Sequence, residues 1–569
     1  MSSSPLMVLF SDIGAFPFWL YDVSYTTLGI ASVLAYLSYK ACDMLVVRPY
    51  FSPLRSLRGP DKLDSYVFGH LPRIFKSSPG VPHEECAALY GPTFQYRGIG
   101  LSRMLFTMDP RAVAHIMNHS YDYPKPLLMR ENLTHVLGEG VLVAEGDAHR
   151  RQRRIMNPCF GVAQIRDLMP IFWAKSFELR DIWLNVISES SGEAEIDVLR
   201  GLSRMTLDVI GLAGFNYNFN SLVDGETNEL AKAFHNLSAP TSGLVQALKT
   251  LQARVPPLKL IPNSRRSTEN RSREVMDRIG LQLVEEKKVA LSQENGDVRE
   301  LKSKNVEGRD LLSVLIKANM ASDVKESARM TDHEMIGQIT TMLLAGQDTT
   351  STSVMWLLYE LAKPNRKHIQ ERLRAEIVSS FLEESSMEEL NALPYLDAVI
   401  RENLRINPVV ESITRDAARD DIISLSTPIV DRNGVERREV RIGAGNSILL
   451  SIHAMNRDKT IWGEDAHEFN PERWFNPDSH PRSNEVPGVH SGIMTFIGGP
   501  RHCIGYRFAL MEMKVLVFTL LRNMSYSLPT PTPEVKKRAG FITRPIVTVP
   551  DGTLKSYMPL IVKAVGEGQ

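Results

Sequence analysis

The chain has 569 residues, 43% hydrophobic and 23% charged, with Lys+Arg and Asp+Glu equal at 66 each. This is a globular composition, and its charge balance leaves no global field to draw it to nucleic acid or to an acidic surface. Four cysteines, Cys42, Cys86, Cys159 and Cys503, form no C-x-x-C pair, which excludes a disulfide framework and a structural zinc site and points to a reducing compartment.

The first expected element is N-terminal. From Val23 to Tyr39 no charge occurs for 17 residues, and weaker apolar character extends on to Val47. That is about the minimum for a bilayer span of ~17–25 residues. No lysine or arginine precedes Lys40, so the basic start of a cleaved signal peptide is missing. Asp12 and Asp22 precede the segment, while Lys40, Arg48, Arg55, Arg58 and Lys62 follow it. The positive-inside rule then predicts a luminal segment 1–22, a transmembrane signal anchor 23–47 and a cytosolic body. The competing reading is a buried N-terminal helix. Three prolines and three arginines in residues 48–60 predict a stiff, non-helical linker over 48–62, with residues 63–569 as a single catalytic domain.

Helical patterns dominate from about Val81, and short strand-like runs fall near Thr93–Tyr96, Ile422–Leu425, Val440–Ile442 and Ile448–Leu450. The fold class is mainly α with small β-sheets. The clearest element runs from Thr331 to Ala362: Thr331 and Glu334 have capping-box spacing, and Pro364 follows. Gln347 and Asp348 at its centre argue against a second membrane span. A helix of roughly 32 residues at about 1.5 Å each is long enough to cross a large domain.

Cys503 lies in the glycine-rich stretch FIGGPRHCIG, just before a helical pattern. Backbone N–H groups at a helix start favour a thiolate, which can serve as nucleophile or as metal ligand. Glu402 and Arg405, in RENLR, share a helix face. Arg473 follows in FNPERWF. AGQDTT, Ala345–Thr350, interrupts the long helix, where Gly346 weakens the helix and a threonine can compete for backbone carbonyls. A local opening is expected there. HRRQRR, residues 149–154, reads alone as a nuclear-import or nucleic-acid patch.

The cysteine loop resembles the signature of the cytochrome P450 family, F-x-x-G-x-R-x-C-x-G, met here by Phe496, Gly499, Arg501, Cys503 and Gly505. The resemblance covers roughly residues 50–565 and implies that family's single-domain fold, with a long central helix over haem. It implies that Cys503 is the axial ligand of haem b, that Phe496 shields the sulfur, and that Arg501 reaches a propionate. Glu402, Arg405 and Arg473 match the family's structural triad, and AGQDTT its oxygen-activation motif, with Asp348 and Thr349 as the proton relay. His149 stands where the family usually has tryptophan, with Arg153 four residues on, and the resemblance implies that both sit at a haem propionate. Arg415 falls where another propionate arginine is expected. The remaining basic residues imply a docking face for an acidic reductase.

By the same resemblance, electrons come from NADPH through a membrane-bound cytochrome P450 reductase, with cytochrome b5 as a further donor. O₂ is the oxidant, and the location is the endoplasmic reticulum membrane, single-pass. The implied pocket windows are about 121–143, 230–260, 342–349, 409–413 and 540–543, largely apolar. They suit a lipophilic small molecule, a terpenoid of secondary metabolism first, then a fatty acid or xenobiotic. Two rival readings are a peroxide- or epoxide-rearranging enzyme, whose relatives tend to lose the acid-alcohol pair, and a non-catalytic, membrane-tethered haem or lipid carrier.

Overall fold

The structure is a computed structural model that describes residues 25–225, 228–238, 264–294, 309–321, 325–380, 383–538, 540–549 and 552–565. The expected luminal segment 1–22 and part of the pocket window at 230–260 lie outside the described residues.

Helix Tyr25–Cys42 forms where the uncharged run predicts one, and it continues through a π-helical turn, Asp43–Val47, into Arg48–Phe51. Its threonines, serines and tyrosines dilute its apolar character, and no described helix is long and apolar enough to cross a membrane. The transmembrane anchor expected over 23–47 therefore has no spanning helix to support it among the described residues, which begin at Tyr25. Tyr25, Ile30, Val33, Leu34 and Tyr39 are all exposed.

The linker also departs from expectation. Pro53–Ser56 is a 3₁₀ turn capped by Ser52, and Leu54 and Leu57 are 0% and 4% exposed. The Gln95 side chain donates to the Leu57 carbonyl, and the Arg432 backbone N–H donates to that of Ser56 at 2.8 Å. Burying two leucines is worth about 3–6 kcal/mol, enough to hold this proline-rich segment against the body as part of its core.

Helices carry most of the body, and the sheets are small, with four, three, three and two strands. In the largest, Thr93–Arg97 pairs antiparallel with Arg103–Thr107, which runs parallel to Ser447–Ser451, itself antiparallel to Ser412–Asp416. Phe94 and Phe106 stack across the first pair at 4.5 Å between ring centroids. The expected strand at 422–425 lies within Asp421–Val430, which pairs with Glu436–Ile442. Buried apolar residues from Leu54 to Val562 form one contiguous cluster.

The central helix is Asp332–Leu361, between caps Thr331 and Ala362, and both halves of the capping box form. It packs most extensively against helix Val198–Phe215. At Gly346 the two approach so closely that a Cβ would lie 2.8 Å from Cγ1 of Ile210. The glycine is therefore a contact point between helices, a role that the sequence alone does not disclose. The helix runs unbroken through AGQDTT, so the expected opening is not a break in the helix. Hydroxyls crowd its carbonyls instead: Thr349 Oγ1 donates to Ala345 O at 2.5 Å, and both Thr206 and Ser351 donate to Gln347 O at 2.8 Å.

Candidate active site

The cysteine loop is built from two 3₁₀ turns, Met494–Phe496 and Gly499–Arg501, ahead of helix Tyr506–Asn523. Gly499 has φ 68°, and a Cβ there would strike the Met117 carbonyl, so only glycine fits both conformation and space. The Cys503 N–H donates to Phe496 O at 2.9 Å, closing the loop. Phe496 is buried beside His490 and Tyr506. Gly505 is the N-cap of the following helix, with the Phe160 ring 3.7 Å from where a Cβ would stand.

Cys503 is accessible and yet lies deep in the protein. Burial pushes the thiol up, against the Gly505 N–H and the Arg153 charge, which pull it down. His502 is no base for it: the imidazole Nδ1 lies 2.9 Å from Gly499 O and its Nε2 lies 2.9 Å from Arg153 Nη2. Arg153 also donates to the His502 carbonyl at 2.8 Å and to Asn157 Oδ1 at 3.0 Å. The side chain expected at a propionate thus clamps the cysteine loop here.

Around the loop, cations outnumber the carboxylates that meet them. Arg501 donates to Glu145 and, at 3.1 Å, to Ala144 O. Lys125 Nζ reaches the other Glu145 oxygen at 3.2 Å. Arg415 is 4% exposed and donates to Thr414 O. Nε of both Arg415 and Arg501 is buried without a hydrogen-bond partner. His149 Nδ1 lies 3.2 Å from the Tyr121 hydroxyl. Burial first, and then mutual repulsion, lowers Lys125 to about 7, Arg415 to about 10 and His149 to about 3. Glu145 is the one carboxylate that pairs with Lys125 or Arg501 among the described residues. Orphaned guanidinium N–H groups and uncompensated buried cations fit a group that brings two acid arms of its own.

The expected structural triad is assembled next to the cysteine loop: Arg405 donates to Asn456 O, and Asn456 Oδ1 accepts from the Met494 N–H of the loop's first turn at 2.8 Å. Glu402, Arg405 and Arg473 have side chains 0% exposed. Arg405 grips both Glu402 oxygens, at 3.0 and 2.8 Å, and donates to the carbonyls of Asn456, Ala466 and Glu468. Arg473 stands 3.6 Å from Glu402 and donates to Trp462 O and Asp465 O. Asn470 N–H and Trp474 Nε1 complete the shell of Glu402. The structure therefore places these three residues together, away from any accessible surface.

On the central helix, Ala345 is exposed between buried turns, and Thr349 is partly exposed. Asp348 is turned to Arg544, whose Nη2 donates to Oδ2 at 2.6 Å. Sequence reasoning covered Tyr121 and Lys125 only as part of the pocket window 121–143, and it missed Glu145 and Arg544. Arg544 does carry a weak signal, because it directly follows the pocket window 540–543.

A cytochrome P450 family model matches residues 60–549. Cytochrome P450 monooxygenase 205 of Postia placenta is 45% identical over 539 residues, 94% of this chain and 97% of that protein. Cytochrome P450 monooxygenase claQ of Ampulloclitocybe clavipes is 35% identical over 518 residues, 90% of this chain and 93% of that one. The ganoderic acid synthetase of Ganoderma lucidum is 34% identical over 524 residues, 89% and 93% of the two chains. The chain belongs to the cytochrome P450 family. It is an oxidoreductase of the monooxygenase class, a class that works with haem, O₂, an electron donor and a small-molecule substrate.

Proposed function

We propose that this protein is an NADPH-fuelled haem b monooxygenase that oxidises a lipophilic small molecule, a terpenoid of secondary metabolism first among the candidates. The observation that carries the reading is the accessible yet deep-lying Cys503 beside an excess of buried cations. Cys503 is the iron ligand in this reading. Phe496 shields its sulfur, and Gly499 and Gly505 let the loop approach. Arg415, Arg501, Lys125 and His149 receive the two propionates, while Arg153 holds the loop through His502. When bound, the haem supplies O₂ activation, with the thiolate pushing electron density toward the iron.

Asp348 and Thr349 are the acid and the alcohol that hand protons to the reaction chamber, with Ala345 and Thr349 facing that space. Thr349 can release Ala345 O and turn its hydroxyl inward; an acid-alcohol pair so placed contributes typically ~10²–10⁴-fold. Keeping this pair favours the monooxygenase over the rearranging enzyme and over the inert carrier. Glu402, Arg405 and Arg473 are structural. Residues 63–569 act as one catalytic domain. The exposed apolar residues of helix Tyr25–Cys42 support attachment to the endoplasmic reticulum membrane, with the catalytic domain on its cytosolic side. There the protein meets cytochrome P450 reductase, with cytochrome b5 as a second donor.

One relative's name, ganoderic acid synthetase, supports a role in small-molecule secondary metabolism. The test is turnover of the full-length haem-loaded protein with reductase and NADPH under ¹⁸O₂, against a panel of terpenoids, fatty acids and polycyclic aromatics. A terpenoid product carrying one labelled oxygen is expected. Labelled products from fatty acids alone, or none at all, contradict the reading.

A further inference from the structure

We propose that Arg544 is a positioning residue for Asp348: it fixes where the acid of the proton relay rests and ties that position to the wall of the substrate pocket. The inference rests on the relay reading above and adds a residue and a mechanical link to it. Arg544 Nη2 donates to Asp348 Oδ2 at 2.6 Å across 196 positions of sequence. The side chains are 27% and 11% exposed, so this ion pair is only partly screened. A charge-assisted bond of this length holds a carboxylate in one orientation. Thr349, next in sequence, has its hydroxyl on Ala345 O. At rest, therefore, the acid and the alcohol are held by different partners.

The backbone that presents Arg544 is itself fixed. Pro545 follows, which restricts Arg544 to extended conformations, and the residue opens strand Arg544–Thr548, paired with Val535–Arg538. One position earlier, the Thr543 N–H donates to Val409 O at 2.8 Å, and Trp356 Nε1 donates to Thr543 O at 3.2 Å. Trp356 and Asp348 lie on the same central helix, eight residues apart. The helix thus holds the strand at two points, through Trp356 on Thr543 and through Asp348 on Arg544. Residues 540–543 and Val409 are pocket-wall segments in the proposed reading. A substrate that presses on this wall acts directly on the backbone that aims Arg544, which links pocket occupancy to the position of the acid.

The test uses the full-length haem-loaded protein with its reductase, comparing wild type with Arg544→Gln, Arg544→Lys, Asp348→Asn and the Gln/Asn double variant. Four quantities are read: the ferrous–CO band, KM, product formed per NADPH, and the urea midpoint of unfolding. Arg544→Gln is expected to keep the ferrous–CO band and KM while product per NADPH falls about tenfold, within the ~100-fold that misplacing a catalytic group can cost. Arg544→Lys sits between, about threefold below wild type, because a point charge replaces the guanidinium fork. Asp348→Asn lowers product per NADPH by itself, and adding Arg544→Gln to it lowers the ratio no further. The urea midpoints show the same non-additivity, which reports the ion pair independently of turnover.

If Asp348→Asn uncouples the enzyme while Arg544→Gln does not, the relay stands and this inference is overturned. Effects that multiply in the double variant overturn it too. If Asp348→Asn leaves product per NADPH unchanged, the relay reading falls and this one with it. Should Arg544→Gln lose the ferrous–CO band, Arg544→Lys decides: a loss near threefold supports the assignment, and wild-type coupling overturns it.

Discussion

Replacing Glu402 by glutamine keeps the shape of the side chain and removes its charge, which makes it the sharpest probe of the buried brace. In the native protein this carboxylate takes two bonds from Arg405, one from Asn470 N–H and one from Trp474 Nε1, and it faces Arg473 at 3.6 Å. A glutamine oxygen can keep only one of the neutral donors, because Asn470 N–H binds Oε1 and Trp474 Nε1 binds Oε2, and its amide NH2 faces the other. It cannot balance Arg405, whose remaining partners are three carbonyls. Arg473 keeps Asp465 at 2.8 Å, but that side chain is 40% exposed and screened. Removing one partner of a fully buried pair typically costs about 3–5 kcal/mol, and the upper half of that range is expected because one guanidinium is left with no counter-charge. Against a total stability of about 5–15 kcal/mol, such a loss is a large share. Urea unfolding followed by tryptophan fluorescence reads it well, since Trp462 and Trp474 flank the network, 5.8 Å apart. A loss below about 1 kcal/mol, the level of an exposed pair, refutes the reasoning.

Thr349→Ala removes the hydroxyl that now bonds Ala345 O. Product per NADPH is expected to fall on the order of 10²-fold, the low end for a general acid–base group, with hydrogen peroxide taking the electrons; unchanged coupling contradicts the relay. His83 gives a pH prediction remote from the cysteine loop. Burial lowers it from 6.5 to about 4, so the unfolded chain binds a proton between those values and the folded one does not. Its contribution to stability is complete above pH 6.5 and is lost as pH falls toward 4, by about 3 kcal/mol in all. His83→Phe, which preserves the stack on Phe106, should flatten that part of the stability curve measured by urea unfolding. An unchanged slope between pH 6.5 and 4 counts against it.

What could be read from sequence was whatever local spacing dictates. The central helix announces itself through a capping box of four residues and a proline beyond its end, and both caps form as spaced. Glu402 and Arg405 share one turn of helix, so their pairing is a local matter, and the loop around Cys503 closes within eight residues. The contacts that escaped are long-range. Arg544 and Asp348 are 196 positions apart, and Arg153 and His502 are 349 apart. No pattern in either segment reports the partner. Gly346 read as a helix weakener because the sequence carries no trace of Ile210 pressing against it. The proline-rich segment read as a stiff, non-helical linker because its turn-forming residues are visible and its two buried leucines are not distinctive. The N-terminal run read as a membrane span on its lack of charge and on the charges flanking it, while the hydroxyl-bearing residues of helix Tyr25–Cys42 leave the described part short of the required apolarity.

The central claim is that the Cys503 sulfur is the iron ligand, and the spectrum of the reduced, CO-bound protein tests it most directly. Wild type is expected to show the strongly red-shifted Soret band of a thiolate-ligated haem, and Cys503→Ser, matched for bound haem, to lose it. Retention of that band in the serine variant contradicts the account.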